Sequence, residues 1–100
     1  MEILDIEFED AEEIARANPD TFEIDPLEDR ESIVERDYVK VCFNQERFWV
    51  KVEKIVVTEA AISFVGVVDN DLVLQTELKC GDYVKVYPKN IYQILKEDEA

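Results

Sequence analysis

The sequence predicts a small α+β domain, mainly β: a partly open SH3-like barrel of about five strands with a short N-terminal strand and helix packed on it. Three observations predict it. From residue 37 to 95 the chain runs as alternating apolar and polar stretches separated by turn signals. The pentapeptide Asp-Tyr-Val-Lys-Val occurs twice, at 37–41 and 82–86. The 100 residues, 47% hydrophobic, suit one folded domain with a modest core.

The elements follow in order. Leu4, Ile6 and Phe8 alternate with Asp5 and Glu7, the pattern of a half-buried strand. Asp10 with Glu13 three residues on forms a capping-box arrangement, and Asn18-Pro19 ends the helix it opens, over 10–17. Two turns of helix do not stand alone in water, so this one is expected to dock on the sheet. Residues 21–24 read as a short extended piece broken by Asp25-Pro26, and 27–36 as a helical turn ending near Val34.

At Asp37 the character changes. Val39, Val41 and Phe43 fall on one face, Tyr38, Lys40 and Cys42 on the other. Asn44-Gln45 is a turn, after which Phe48, Val50 and Val52 alternate with Trp49, Lys51 and Glu53, and 55–57 extend this second arm. Residues 60–68 form a further run with Gly66 as a bulge or close-approach point. Asp69-Asn70-Asp71 is a turn, and 72–78 fits a strand or a short helix. Gly81-Asp82 turns the chain into 83–87, Pro88 ends that run, and 91–95 make a last short segment. The tail, 96–100, is expected to fray.

The two pentapeptides lie 45 residues apart, with Ile33 four residues before Asp37 and Leu78 four before Asp82. Two copies are too few for a solenoid, so they read as two similar strands of one sheet. If the valines point inward, Tyr38, Lys40, Trp49, Lys51, Tyr83, Lys85 and Tyr87 point outward as an aromatic and basic stripe. Either the N-terminal segment packs across this stripe, or it stays open and binds a partner.

Charge is unevenly placed. Of a formal net −14, residues 1–37 hold 15 acidic and 3 basic side chains, and 38–100 hold 10 and 8. The domain so divides into an acidic segment, 1–36, a β core, 37–95, and the tail. Such a balance disfavours nucleic acid and anionic membranes as partners. No apolar stretch approaches the ~18 residues of a membrane span, and Met1–Asp5 lack the features of a secretory signal. The cytoplasm is therefore the expected location, with Cys42 and Cys80 as thiols.

The residues offer little chemistry. Histidine is absent, which removes the commonest general base and zinc ligand. Gly66 and Gly81 are the only glycines, so no phosphate loop exists. Asp69 and Asp71 have the spacing of a hard-cation pair without the rest of a calcium loop. The expectation is a chain that is not an enzyme and uses no metal or cofactor.

Five segments together, Asp37–Phe43, Glu46–Val52, Phe64–Asn70, Leu78–Val84 and Ile91, resemble the YegJ-like family of small bacterial domains of unknown function. Ala15-Arg16 is similar to an Ala-Arg pair in that family's upstream helix. The likeness covers about residues 11 to 94, and its most specific part is Glu46–Val52 with Gly81-Asp82. Two places depart: Asp71-Leu72 stands where the family has Asn followed shortly by Pro, and Arg36 stands where a Gly precedes the first Asp. The resemblance implies a compact α+β or SH3-like barrel and no known activity or site.

Two functions fit these readings. One is a non-catalytic binding or accessory module that contacts a protein through Tyr38, Lys40, Trp49, Lys51, Tyr83 and Lys85. The alternative is an acidic inhibitor or immunity-type protein whose N-terminal carboxylates occlude a basic surface. The oligomeric state is left open.

Overall fold

A computed structural model of the chain describes residues 2–20, 23–75 and 77–99. In chain order the elements are β1 (Ile3–Leu4), α1 (Ala11–Ala17), α2 (Leu27–Glu31), β2 (Tyr38–Phe43), β3 (Glu46–Val57), β4 (Ile62–Val68), β5 (Tyr83–Val86) and β6 (Gln93–Leu95), with 3-10 turns at Pro88–Asn90 and Glu97–Glu99. The strands form one six-stranded mixed sheet in the order β1-β5-β4-β3-β2-β6. The domain is α+β and mainly β, as its patterning predicts. The sheet has six strands rather than five, however, and is not closed into a barrel. Its outermost strands are the two shortest, β1 and β6.

The two pentapeptides enter the sheet through the same local structure. Asp37 Oδ2 accepts from Val34 N–H at 3.0 Å, and Asp82 Oδ2 accepts from Lys79 N–H at 3.0 Å. The preceding residue is left-handed in both copies, Arg36 at φ 77° and Gly81 at φ 95°. Its N–H donates across to Val52 O (2.7 Å) in the first copy and to Val68 O (2.9 Å) in the second. The aspartate carbonyl then accepts from the N–H of that same valine, at 2.8 and 2.9 Å. Ile33 and Leu78 are both buried beneath these turns. Gly81 takes its conformation freely, whereas Arg36 takes it against the steric preference of an L-residue.

The repeat extends to the partner strands. Val39 pairs with Val50 and Val84 with Gly66, while Val41 pairs with Phe48 and Val86 with Phe64. All of these lie on the inner face and are fully or almost fully buried. Phe8, Ile33, Leu78 and Ile91 close the core over them. Opposite Gly66 the strands approach so closely that a Cβ would lie 2.5 Å from Val50 Cγ1 and 2.6 Å from the Lys51 carbonyl oxygen. Immediately beyond, the register shifts between Val52 and Lys54. The extra residue reverses the alternation of β3, so Ile55 joins the inner face opposite Phe64.

The turns follow their residue types. Asn44 and Gln45, at φ 48° and 71°, make the two-residue hairpin loop between β2 and β3. Asn70 Oδ1 accepts from Trp49 N–H at 2.5 Å, so the Asp-Asn-Asp turn is tied to the middle of β3.

Three expectations are corrected. Residues 72–75 form neither strand nor helix: Glu46 accepts from Val73 N–H (2.8 Å) and Leu74 N–H (2.9 Å), so the backbone is satisfied by a side chain instead. The second helix ends at Glu31, short of Val34. Of the extended piece at 21–24, Thr21 and Phe22 lie outside the described residues, and Glu23 and Ile24 form no strand. Lys96 Nζ lies 2.8 Å from the buried Asp37 carboxylate, just before the 3-10 turn at Glu97–Glu99. The helix expected from Asp10 and Glu13 is present, with Glu13 N–H donating to Asp10 Oδ1 at 3.0 Å.

The Glu46 clamp has a measurable consequence. Its carboxyl is held below the ordinary value of 4.5, first by the Val73 N–H and then by Leu74 and Gln75. A depressed carboxylate stabilises fully above its unfolded value and loses that contribution as pH falls through the folded one. Exchange of the Val73 and Leu74 amides is therefore expected to speed up, relative to the core strands, as pH drops below 4.5, and Glu46→Gln is expected to show faster exchange already at pH 7.

Candidate binding face

Strand alternation decides what the outer side of the sheet carries. Leu95, Tyr38, Lys51, Val67, Tyr83 and Ile3 form one unbroken row across all six strands. Gln93, Lys40 and Trp49 form the next row on one side, and Lys54, Val65 and Lys85 the next on the other. All six predicted site residues thus share one face. They fall into two groups. Tyr38, Lys40, Trp49 and Lys51 are direct cross-strand neighbours on β2 and β3, whereas Tyr83 and Lys85 stand on β5 with β4 between.

Tyr38, Lys40, Trp49, Lys51 and Tyr83 are half-buried, and Lys85 is exposed. Within the first group each ammonium sits over its neighbour's ring: Lys40 Nζ is 5.4 Å from the Trp49 centroid, and Lys51 Nζ is 5.9 Å from that of Tyr38. On β5, Lys85 Nζ is 5.7 Å from the Tyr87 centroid. The aromatics are thereby held flat beneath cationic heads.

Among the described residues, the N-terminal segment covers one end of this face. Ala11 and Ile14 of α1, with Ile24, pack on Cys42 and Tyr92, so the helix docks on the outer side of β2 as its length demanded. Glu23, Ile24, Asp25 and Pro26 face Lys40, Arg47, Tyr92 and Gln93 across a concavity of about 590 Å³. Two buried residues fix the segment there. Arg30 donates to Glu12 Oε2 (2.7 Å), Asp25 O (2.7 Å) and Pro88 O (2.8 Å). Asn90 donates to the carbonyls of Phe8 and Glu9, both at 3.3 Å, and accepts from Tyr87 N–H. Neither residue stands out in the sequence. The only signal for Asn90 is its place two residues after Pro88, where a capping amide suits a turn.

Beneath the helix lies a polar cluster. Cys42 Sγ donates to Glu9 Oε2 at 3.3 Å, Tyr92 OH donates to Glu9 Oε1 at 3.1 Å, and the Arg47 guanidinium lies 4.9 Å from the Tyr92 ring centroid. Burial first, then the Glu9 carboxylate, pushes the Cys42 thiol up to about 11. The same two causes raise Tyr92 well above its ordinary value. A thiol so placed is a poor nucleophile. Cys80 is exposed, and both cysteines are free. Ellman's reagent is expected to titrate one thiol in the native protein and a second only on unfolding.

The outward side chains of the strands carry the cations Lys40, Arg47, Lys51, Lys54 and Lys85 and the carboxylate of Glu53, a sum of +4. Glu23 and Asp25 of the N-terminal segment stand against the Lys40–Arg47 end, and Glu9 against Cys42. With −14 for the whole chain, the remainder carries −18. Much of that negative charge gathers elsewhere: Glu7, Glu9, Asp10 and Glu13 rim a concavity of about 690 Å³ with Phe43 and Lys89. Among the described residues no group of carboxylates and thiols is arranged to hold a metal ion, and no helix is long and apolar enough to cross a membrane. No protein-family model, curated protein or solved structure matches the chain.

Proposed function

We propose that this chain is a cytoplasmic, non-catalytic protein-binding module of the YegJ-like kind, built as an SH3-like, partly open barrel, and that its outer sheet face docks an acidic protein surface. The observation that carries the reading is the segregation of charge: outward strand side chains that sum to +4, met at the Lys40–Arg47 end by Glu23 and Asp25, in a molecule otherwise at −18. At physiological ionic strength fields decay over about 8 Å, so a docked partner senses the local face more than the net charge. Trp49 and Tyr38, immobilised under lysines, supply apolar area at little ordering cost, as interface anchors do. Glu23, Ile24 and Asp25 illustrate the complementary chemistry, an aliphatic side chain between carboxylates set beside Lys40 and Arg47.

Affinity capture from the native host, comparing the wild type with a Lys40→Glu/Lys51→Glu variant, tests this. The expected result is a partner retained by the wild type, released by salt, and lost in the variant. Equal capture by both sinks the reading. A second reading, an acidic inhibitor that occludes a basic surface, rests on the carboxylate rim of Glu7, Glu9, Asp10 and Glu13. Capture that survives the lysine reversals and is lost in Glu7→Gln/Glu13→Gln favours it instead.

A further inference from the structure

The outer face continues past the Trp49 group into a second, more apolar concavity of about 390 Å³. Val65 and Val56 line it, Ile3 and Tyr83 wall it on the β1 and β5 side, and Lys54, Lys85 and Glu53 complete its lining. At the opposite end of β3 the loop after the Asp-Asn-Asp turn exposes two adjacent aliphatic residues. Val73 is 85% and Leu74 62% exposed, the first being the most exposed large apolar side chain described. Exposure of this kind in a fixed loop calls for explanation. The loop is held by Glu46, which binds both N–H groups, and by Gln75 Nε2, which donates to Phe43 O at 2.9 Å. The backbone of the pair is thereby tied to the β2–β3 hairpin. Its surroundings are acidic: Asp69, Asp71 and Glu77 flank it, whereas the concavity carries Lys54 and Lys85 against the one carboxylate of Glu53.

From the structure we infer that the chain associates head to tail with further copies of itself, the Val73-Leu74 loop of one seating in the Val65 concavity of the next. This rests on the reading of the outer face as a protein-docking surface and names a second copy as an occupant. Both halves of the contact belong to one molecule, apolar against apolar and carboxylate against ammonium. They cannot meet within it, because Glu46 and Lys54 are eight residues apart on one strand, roughly 26 Å. A contact between two different patches is heterologous, so it propagates unless the rotation happens to close a ring. The net −14 opposes association at low ionic strength, so self-association strengthens as salt rises from very low to physiological values.

Sedimentation equilibrium of the full chain, over a wide concentration range at physiological salt, tests this. The mass is expected to rise above the 11.7 kDa monomer with concentration. Val73→Asp, on an exposed loop residue, and Lys54→Glu/Lys85→Glu, on exposed rim residues, are each expected to weaken association by about tenfold or more. Mixed in equal amounts, the two variants retain one intact pairing between them, so they are expected to form a dimer and nothing larger. A wild type that stays monomeric throughout, or a mixture that stays monomeric, overturns the inference. A monomeric wild type that still captures a partner dependent on Lys40 and Lys51 overturns the self-association alone. Self-association indifferent to Lys54 and Lys85 but abolished by Val73→Asp places the socket elsewhere and counts against the docking face itself.

Discussion

Replacing Gly66 by alanine is expected to lower stability by about 3 kcal/mol, without altering the dependence of unfolding free energy on urea. The cost comes from the neighbouring strand. The new Cβ meets the Val50 side chain at 2.5 Å and the Lys51 carbonyl oxygen at 2.6 Å. A side chain can rotate away, but a ladder carbonyl cannot move without disturbing the pairing of β3 with β4, the longest in the sheet. The glycine also lies beside the bulge that returns Ile55 to the core. Urea denaturation followed by circular dichroism measures the effect as a lower midpoint at constant slope. A change below about 0.5 kcal/mol would show that the two strands part easily at this point.

Arg30→Ala is expected to cost about 3 kcal/mol. Arg30 is 5% exposed and joins three segments distant in sequence, through Glu12 on α1, the Asp25 carbonyl before α2, and the Pro88 carbonyl after β5. Removing it leaves a partly buried carboxylate and two carbonyl oxygens without that donor, and such orphaned groups carry most of the penalty. Lysine is not expected to restore the loss, because one ammonium on a flexible stem does not reproduce a planar fork reaching three acceptors. The damage should be local. Hydrogen exchange is expected to accelerate in 11–17 and 88–90 while β3 and β4 stay protected. Uniform acceleration across the sheet would contradict a stapling role confined to the N-terminal segment.

The sequence was legible where one local rule acted alone. Period-two alternation identifies the inner valines of β2, β3 and β5 directly, and the repeated pentapeptide marks two places with the same hydrogen-bonded turn. Asp10 and Glu13 announce α1 through capping chemistry. The bulge at β3 also left a trace, since apolar positions at 48, 50 and 52 become 55 and 57, a shift of one residue in phase. The rest depends on contacts distant in sequence. Nothing local marks Arg30 as buried, because its three acceptors come from three other segments. The region after Asp71 is as apolar as a strand, yet its backbone is held by the Glu46 side chain, 27 and 28 residues away.

The candidate face shows the same division. Alternation places Tyr38, Lys40, Trp49, Lys51, Tyr83 and Lys85 on one side of the sheet. It does not show that β4 separates the last two from the others, that lysines overlie the rings, or that α1 and Ile24 pack on Cys42 and Tyr92. These follow from strand order and from the docking of α1, which is fixed by Arg30 and Asn90. Lys54 belongs to the face only because of the bulge, which turns it outward beside Val65.

An outer face that docks a partner must be open and locally positive at its Trp49 end. Trp49 is the only tryptophan, so its fluorescence reports on this spot alone. The direct measurement is quenching of that emission by iodide, acrylamide and caesium ions in the native protein. With a half-buried ring lying 5.4 Å from the Lys40 ammonium, iodide is expected to quench well relative to acrylamide, caesium poorly, and Lys40→Glu to reverse that order. A blue-shifted emission that neither iodide nor acrylamide quenches would mean that the face is covered and cannot dock a partner.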